Sequence, residues 1–201
     1  MSMSTQAPLR VGVLVFDGVD ELDAVGPWEV LASWARLSAL HPDVLTFSAD
    51  GGGVRCAKGL SLVPDTSTED VGPLTVLLHP GGWGTRALMA DEGHLAWVRA
   101  MRATTPLMTS VCTGSLVYAA AGLLAGRPAT THRSTLDELA TADPSVLVDT
   151  ESRFVDDGDV ITAAGVCAGI DMALYLVARL ESHDAAAAVR REIEYDPAPP
   201  V

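Results

Sequence analysis

The chain has 201 residues, of which 48% are hydrophobic and 19% charged, with a formal net charge of −13. That length suits one domain able to bury roughly 70% of its unfolded surface, and the balance of residues excludes a disordered chain. The negative charge repels phosphate backbones, so no nucleic-acid partner is expected.

The first strand is Val11-Gly12-Val13-Leu14-Val15-Phe16, an apolar, β-branched run suited to a strand buried on both faces. Asp17-Gly18 ends it. Leu22, Val25, Trp28, Val30, Leu31 and Trp34 then recur at helical spacing, with Pro27 near the helix start. Val44–Ser48 reads as a second strand, Asp50-Gly51-Gly52-Gly53 as a turn, and Val54–Ala57 with Leu60–Val63 as a small hairpin. Leu74–Leu78 is a further buried strand running into His79-Pro80-Gly81-Gly82-Trp83-Gly84. Leu95, Val98 and Met101 or Arg102 mark a helix ending before Pro106, and Leu107–Val111 is the next strand.

Thr113–Leu124 follows as a helix closed by Gly126. Ala129–Thr131 is short and extended. Val146–Asp149, Arg153–Val155 and Val160–Ala163 are strands, the last two joined by a turn at Asp156–Asp159. Ile170–Leu180 and Ala185–Ile193 are helices, and the Pro-rich tail from Asp196 cannot continue one. Alternation of strands and helices predicts an α/β fold, a mostly parallel central sheet with helices on both faces. One domain over residues 8–195 is expected, between a flexible tail at 1–7 and the tail at 196–201. Ligands in such sheets sit beyond the carboxyl ends of the strands.

The three cysteines, Cys56, Cys112 and Cys167, are odd in number and widely spaced, which argues against a disulfide framework, and no Cys-x-x-Cys or paired histidine spacing points to a metal. The N-terminus lacks the basic and apolar regions of a secretory signal, and Leu116–Leu124 and Met172–Val177 are too short to span a bilayer. A cytoplasmic location with reduced thiols, no membrane and no cofactor is expected.

Ser110-Val111-Cys112-Thr113-Gly114-Ser115 carries the strongest local signal. A nucleophile elbow holds its reactive residue at a sharp strand-to-helix turn, with small residues two positions before and after it. Ser110 and Gly114 meet that need. Backbone N–H groups at a helix start favour a thiolate and developing negative charge on a substrate. Gly165-Val166-Cys167-Ala168-Gly169 has nearly the same pattern, so Cys167 is a rival nucleophile, a pocket-lining residue or a packing residue. Cys56 reads as structural.

A thiolate needs a proton partner. Asp23, flanked by Leu22, Ala24 and Val25, fits a buried acid of raised pKa, or a helix N-cap. Asp20 and Glu21 read as exposed. His132 follows another strand end and fits either a third catalytic member or a polar lining residue. Gly81 and Gly82 let backbone N–H groups approach a ligand. His41, His94 and His183 read as surface residues.

These segments, in order, resemble the ThiJ/PfpI superfamily, of the class I glutamine amidotransferase-like, flavodoxin-like fold. The resemblance rests on Val13–Phe16, Leu22–Pro27, Pro80-Gly81-Gly82, Ser110–Ser115, Ala121–Gly126, Ala129–His132, Ala164-Gly165 with Ala168–Asp171, and Glu194–Pro200. The Ser-Val-Cys-Thr-Gly-Ser string and the tail look like the isocyanide hydratase-like branch. The resemblance implies Cys112 as nucleophile over Cys167, Asp23 as its acid–base partner and Thr113 as support. Gly81, Gly82, His132, Gly165, Val166 and Cys167 would stand around a small electrophilic substrate, in a homodimer.

Thr113 stands where family peptidases have His, no C-terminal His-x-Glu of glutamine amidotransferases occurs, and Arg133 replaces a Trp frequent in the hydratase-like branch. Related transcriptional regulators add a helix-turn-helix module after such a domain, so for this acidic chain that role would need a further domain. The expected reaction is hydration of an isocyanide to an N-substituted formamide. A glyoxalase-like reaction on α-oxoaldehydes and a non-catalytic redox or ligand sensor are the alternatives.

Overall fold

The first strand, β1 (Arg10–Leu14), is apolar at every position after its first residue because both faces of it are covered. Val11 and Val13 face one layer of helices while Leu14 faces the other. The structure, a computed structural model, describes residues 9–197. The expected tail at 1–7 and positions 198–201 of the Pro-rich tail lie outside the described residues.

The chain continues through α1 (Glu21–Leu37), β2 (Asp43–Ser48), the hairpin β3 (Val54–Arg55) and β4 (Ser61–Leu62), and β5 (Thr66–Ser67). Next come β6 (Val76–His79), α2 (Thr85–Ala90), α3 (Glu92–Thr104), β7 (Leu107–Val111), α4 (Gly114–Ala120) and β8 (Pro128–Ala129). A 3-10 turn at Arg133–Thr135 leads into α5 (Leu136–Ala142), β9 (Leu147–Val148), β10 (Phe154–Asp156) and β11 (Val160–Ala163), and the chain ends with α6 (Ala168–Leu180) and α7 (His183–Glu192).

Seven strands form the main sheet in the order β10-β11-β7-β6-β1-β2-β5, all parallel except the edge strand β10. Helices α1, α6 and α7 cover one face, where Val30, Leu31 and Trp34 meet Met172, Leu176 and Val177. Leu95, Val98, Leu116, Tyr118 and Leu139, from α3, α4 and α5, cover the other. Each fully buried large aliphatic side chain contributes roughly 1.5–3 kcal/mol. The Trp34 indole also donates to Glu181 at 2.5 Å, tying α1 to the end of α6.

From β1 the chain winds outward to β2 and β5, then returns to β6 and winds the other way to β7, β11 and β10. The winding reverses between β1 and β6. A crevice opens at such a switch point, beyond the carboxyl ends of the strands, and the segments holding Asp23, Gly81 and Cys112 leave the sheet there.

Several expected elements change. The helix after Cys112 stops at Ala120 and gives way to turns, with Gly122 and Gly126 at positive φ. Strand β5, helix α2 and helix α5 have no counterpart in the sequence reading. In α1, Leu22, Val25 and Trp28 stand exposed while Asp23, Ala24, Gly26 and Pro27 are buried.

Candidate active site

Cys112 has φ +55, in the left-handed region that a side chain rarely adopts. Its N–H donates to the Ala163 and Ala164 carbonyls, both at 3.0 Å, and its carbonyl accepts from the Thr131 hydroxyl at 2.9 Å and the Ser115 hydroxyl at 3.1 Å. These bonds hold a conformation that by itself costs about 1–3 kcal/mol. A Cβ at residue 114 would strike the His79 and Pro80 carbonyls, which explains Gly114. The strained elbow presents the sulfur to a cleft, where Cys112 is 7% exposed.

The second sharp turn is different. There the residue at positive φ is Val166, at +49, and Cys167 is the exposed N-cap of α6. The Cys167 sulfur faces Arg153 Nη2 at 3.5 Å and does not line the cleft. Cys56 is buried in the core.

Asp20, not Asp23, is the N-cap of α1, accepting from the Leu22 N–H at 3.3 Å. Asp23 lies one turn further, fully buried, with Oδ2 accepting from the Gly81 N–H at 3.1 Å. Burial, then the charge of Asp20, pushes its carboxyl up to about 7, against the opposing pull of the Cys112 thiol and the Gly81 N–H. Asp20 and Glu21 are half-buried rather than exposed, because the hairpin folds over them. The Lys58 ammonium pairs with Asp20, and the Lys58 N–H donates to Glu21 at 2.8 Å.

The Cys112 thiol and Asp23 carboxyl interact closely enough to shift each other. The thiol is within hydrogen-bonding reach of the carboxyl, while Asp23 Oδ1 has no settled hydrogen-bond partner. The expected low-pKa thiolate is not what surrounds Cys112. Burial, then the Asp23 charge, pushes the thiol up to about 12, against a smaller opposite effect of the Thr113 N–H. Desolvation of a small buried sulfur outweighs the helix start, and α4 has only two turns with which to oppose it.

The Gly81 and Gly82 N–H groups are not free for a ligand. Gly81 donates to Asp23, and Gly82 donates to Thr113 Oγ1 at 2.9 Å. The Thr85 hydroxyl, fully buried, bonds the Gly82 carbonyl at 2.8 Å and lies 3.1 Å from Thr113 Oγ1. Thr113 and Thr85 therefore clamp both ends of the Gly82 peptide, whose φ of +128 requires glycine.

Around Cys112 the cleft is lined by Asp20, Gly82, Thr113, His132, Val166 and Thr135, with Trp83, Arg86 and Ser134 toward solvent. Its volume is about 150 Å³. Gly81 lies beneath it. Gly165 leaves room for the His132 ring, which a Cβ there would strike. Of the expected Gly165–Cys167 lining, only Val166 takes part. Ser134 bonds His132 Nδ1 through its hydroxyl at 2.8 Å and its N–H at 3.2 Å; because Nδ1 accepts that N–H, a neutral ring carries its proton on Nε2.

His79, at the end of β6, is fully buried and held neutral, its pKa pushed down to about 3 by burial and then by His94. Its Nδ1 donates to the Pro80 carbonyl at 2.9 Å, so Nε2 is the acceptor for His94 Nε2 at 3.1 Å. His94 is thus half-buried against His79, not a surface residue. His41 and His183 are exposed.

Sequence reasoning missed Asp20, Trp83, Arg86, Thr85, Ser134 and Thr135. Arg86 and Thr85 lie on the overlooked α2. Among the described residues no cluster of three His, Cys, Asp or Glu is arranged to hold a metal ion, and no helix is long and apolar enough to cross a membrane.

Residues 9–179 match the family model described as the DJ-1/PfpI family. The chain is 43% identical over 194 residues to an isonitrile hydratase of Pseudomonas putida, across 96% of this chain and 81% of that protein. It is also 30% identical over 194 residues to the HTH-type transcriptional regulator GbdR of Pseudomonas aeruginosa, across 94% of this chain and 51% of the regulator. Among solved structures, a ThiJ/PfpI family protein from Pseudomonas syringae superimposes with a TM-score of 0.87 at 36% identity, covering 98% of this chain and 78% of that one. Drosophila melanogaster DJ-1beta, at 22% identity, shares the fold with a TM-score of 0.81, covering 94% of this chain and 98% of its own.

Proposed function

The chain belongs to the DJ-1/PfpI family, and from that premise we propose that it hydrates an isocyanide (an isonitrile) to an N-substituted formamide, with Cys112 as nucleophile and Asp23 as acid–base partner. The observation that carries the reading is the contact between a thiol on a strained elbow and a fully buried carboxyl with a pKa near 7. The 43% identity to an isonitrile hydratase supports the same chemistry.

The resting site holds a thiol beside a partly ionised carboxylate, so the first step is a paired transfer. Asp23 takes the thiol proton as sulfur bonds to the terminal isocyanide carbon. Asp23 then returns that proton to the same carbon, leaving a thioimidate, R–N=CH–S–Cys112. Water adds to the carbon and a proton reaches nitrogen through Asp23. Collapse of the R–NH–CH(OH)–S–Cys112 adduct breaks the C–S bond, moves the hydroxyl proton to sulfur and releases R–NH–CHO. One water is consumed and the thiol is restored. A group with pKa near the working pH suits alternate roles as base and acid, worth roughly 10²–10⁴-fold. The Thr113 N–H, which opposes the rise in the thiol's pKa, would support charge on the departing sulfur.

Formamide release from a simple isocyanide tests this, with Cys112→Ala and Asp23→Asn as controls. Undiminished turnover by Cys112→Ala would overturn it. The glyoxalase-like reading keeps one favourable observation, His132 in the Cys112 cleft. It requires lactate formation from methylglyoxal that His132→Ala abolishes. The sensor reading is weakened by the raised thiol, because selective oxidation favours an exposed, low-pKa cysteine.

For a homodimer, the supporting feature is the exposed apolar set Leu22, Val25 and Trp28 on α1 beside Leu60 and Val63 of the hairpin. Sedimentation at micromolar concentration tests it.

A further inference from the structure

We propose that Trp83 is the substituent-binding platform of the cleft, and that the electrophile accepted there carries a neutral aromatic group. The proposal rests on the reading of Cys112 as the nucleophile and names the substrate class of that site.

Exposure rises steeply across the cleft. Cys112 and Thr113 at its floor are 7% and 4% exposed, while Trp83 at the rim is 78% exposed. At the mouth of the cleft this indole offers a large apolar face to whatever the cleft admits. The display is rigid. Gly82 before it is clamped by Thr113 and Thr85, and pairs with Val19 in an isolated bridge. Gly84 after it donates to the Gly18 carbonyl at 3.2 Å, and a Cβ there would strike the Asp17 carbonyl and Phe16. The indole thus projects from a fixed corner just ahead of α2.

The volume over Cys112, about 150 Å³, is small beside the roughly 300–1,000 Å³ of sites that enclose a drug-sized ligand. It suits the isocyano group, so a larger substituent must extend to the rim and meet Trp83. The charges there are already matched. Arg86 lies 5.7 Å from the Trp83 ring centroid and bonds Glu138 at 2.7 Å, and Asp20 is paired with Lys58. A carboxylate or ammonium substituent would compete with these pairs, whereas a neutral ring can stack on the indole face that Arg86 does not cover and leave both pairs in place.

The test compares benzyl with ethyl isocyanide in the wild type, Trp83→Ala and Trp83→Phe, reading kcat and KM separately. The ratio of kcat/KM for benzyl over ethyl should fall roughly three- to tenfold in Trp83→Ala, chiefly through KM, and recover most of its value in Trp83→Phe. A second readout needs no turnover: calorimetric binding of N-benzylformamide to Cys112→Ala, with and without Trp83→Ala. Trp83-dependent binding in a protein that hydrates no isocyanide would uphold the platform while the hydratase reading fails. A ratio unchanged by Trp83→Ala, formamide binding independent of Trp83, or an effect of Trp83→Ala confined to oligomeric state would overturn the proposal.

Discussion

The Gly81 N–H reaches Asp23 Oδ2 at 3.1 Å, joining the segment after β6 to the segment after β1 across the point where the sheet reverses its winding. That bond aims the carboxyl at the third segment, the Cys112 elbow. The contact allows no extra atom. A Cβ on residue 81 would lie 2.5 Å from the Thr113 nitrogen, 2.7 Å from its Oγ1 and 2.8 Å from Asp23 Oδ2.

Gly81→Ala is therefore expected to separate Asp23 from Cys112. One close neighbour is backbone and the other, Thr113 Oγ1, is held by Gly82 and Thr85, so the backbone must shift, with a stability loss of roughly 1–3 kcal/mol. Formamide production should fall at least a hundredfold in a protein that still unfolds cooperatively. Near-wild-type turnover in Gly81→Ala would show that the carboxyl need not be held there.

The rate should follow the ionisation of Asp23. Because its pKa is near 7, the carboxylate that accepts the thiol proton dominates only above neutrality. The kcat/KM for an isocyanide is expected to rise with pH through a midpoint near 7 and level off above it. The Asp23 charge also contributes to the raised thiol pKa. Alkylation of Cys112 by iodoacetamide should therefore reach half its limiting rate at lower pH in Asp23→Asn than in the wild type. An unmoved alkylation midpoint would show that the two groups are not coupled.

The same carboxyl carries a stability cost. Its folded pKa of about 7 lies above the ordinary 3.8, so between those values the folded state binds the additional proton. Stability contributed by the protonated acid is complete below about pH 4 and is lost as pH rises toward 7, by about 4 kcal/mol at most. Asp23→Asn keeps an oxygen for the Gly81 N–H and removes the buried charge. It should raise the melting temperature more at pH 8 than at pH 5, while activity is lost. An equal shift at both values would mean that Asp23 ionises as readily folded as unfolded.

The elements that position this site were legible because their signals are local. An apolar run covered on both faces marks β1 and β7, and Ser110 and Gly114 mark the elbow between β7 and α4. Glycine patterns alone did not reveal that the N–H groups of residues 81 and 82 are taken by Asp23 and Thr113. Those partners come from 58 and 31 positions away, and no spacing rule connects them. The direction of the Cys112 shift was equally hidden, since a helix start argues for a thiolate and only the burial of the pair outweighs it. Helix α2 is short and begins directly after a glycine-rich turn, so its six residues carry too little periodicity to be read. With it went Thr85 and Arg86.

The Thr113–Thr85 clamp fixes the Gly82 backbone beside the residue that holds Asp23. Thr113 Oγ1 accepts the Gly82 N–H, and Thr85 closes the other end of that peptide. Thr113→Val keeps the shape but leaves the Gly82 donor without an acceptor, a penalty of roughly 1–3 kcal/mol. Because Gly82 lines the cleft and Gly81 beside it holds Asp23, relaxation of the peptide should lower kcat as well as stability. Thr113→Ser retains the hydroxyl and should recover most of both. If Thr113→Val lost stability but kept full kcat, the clamp would be a packing device without influence on the carboxyl, and the acid–base geometry would rest on the Gly81 N–H alone.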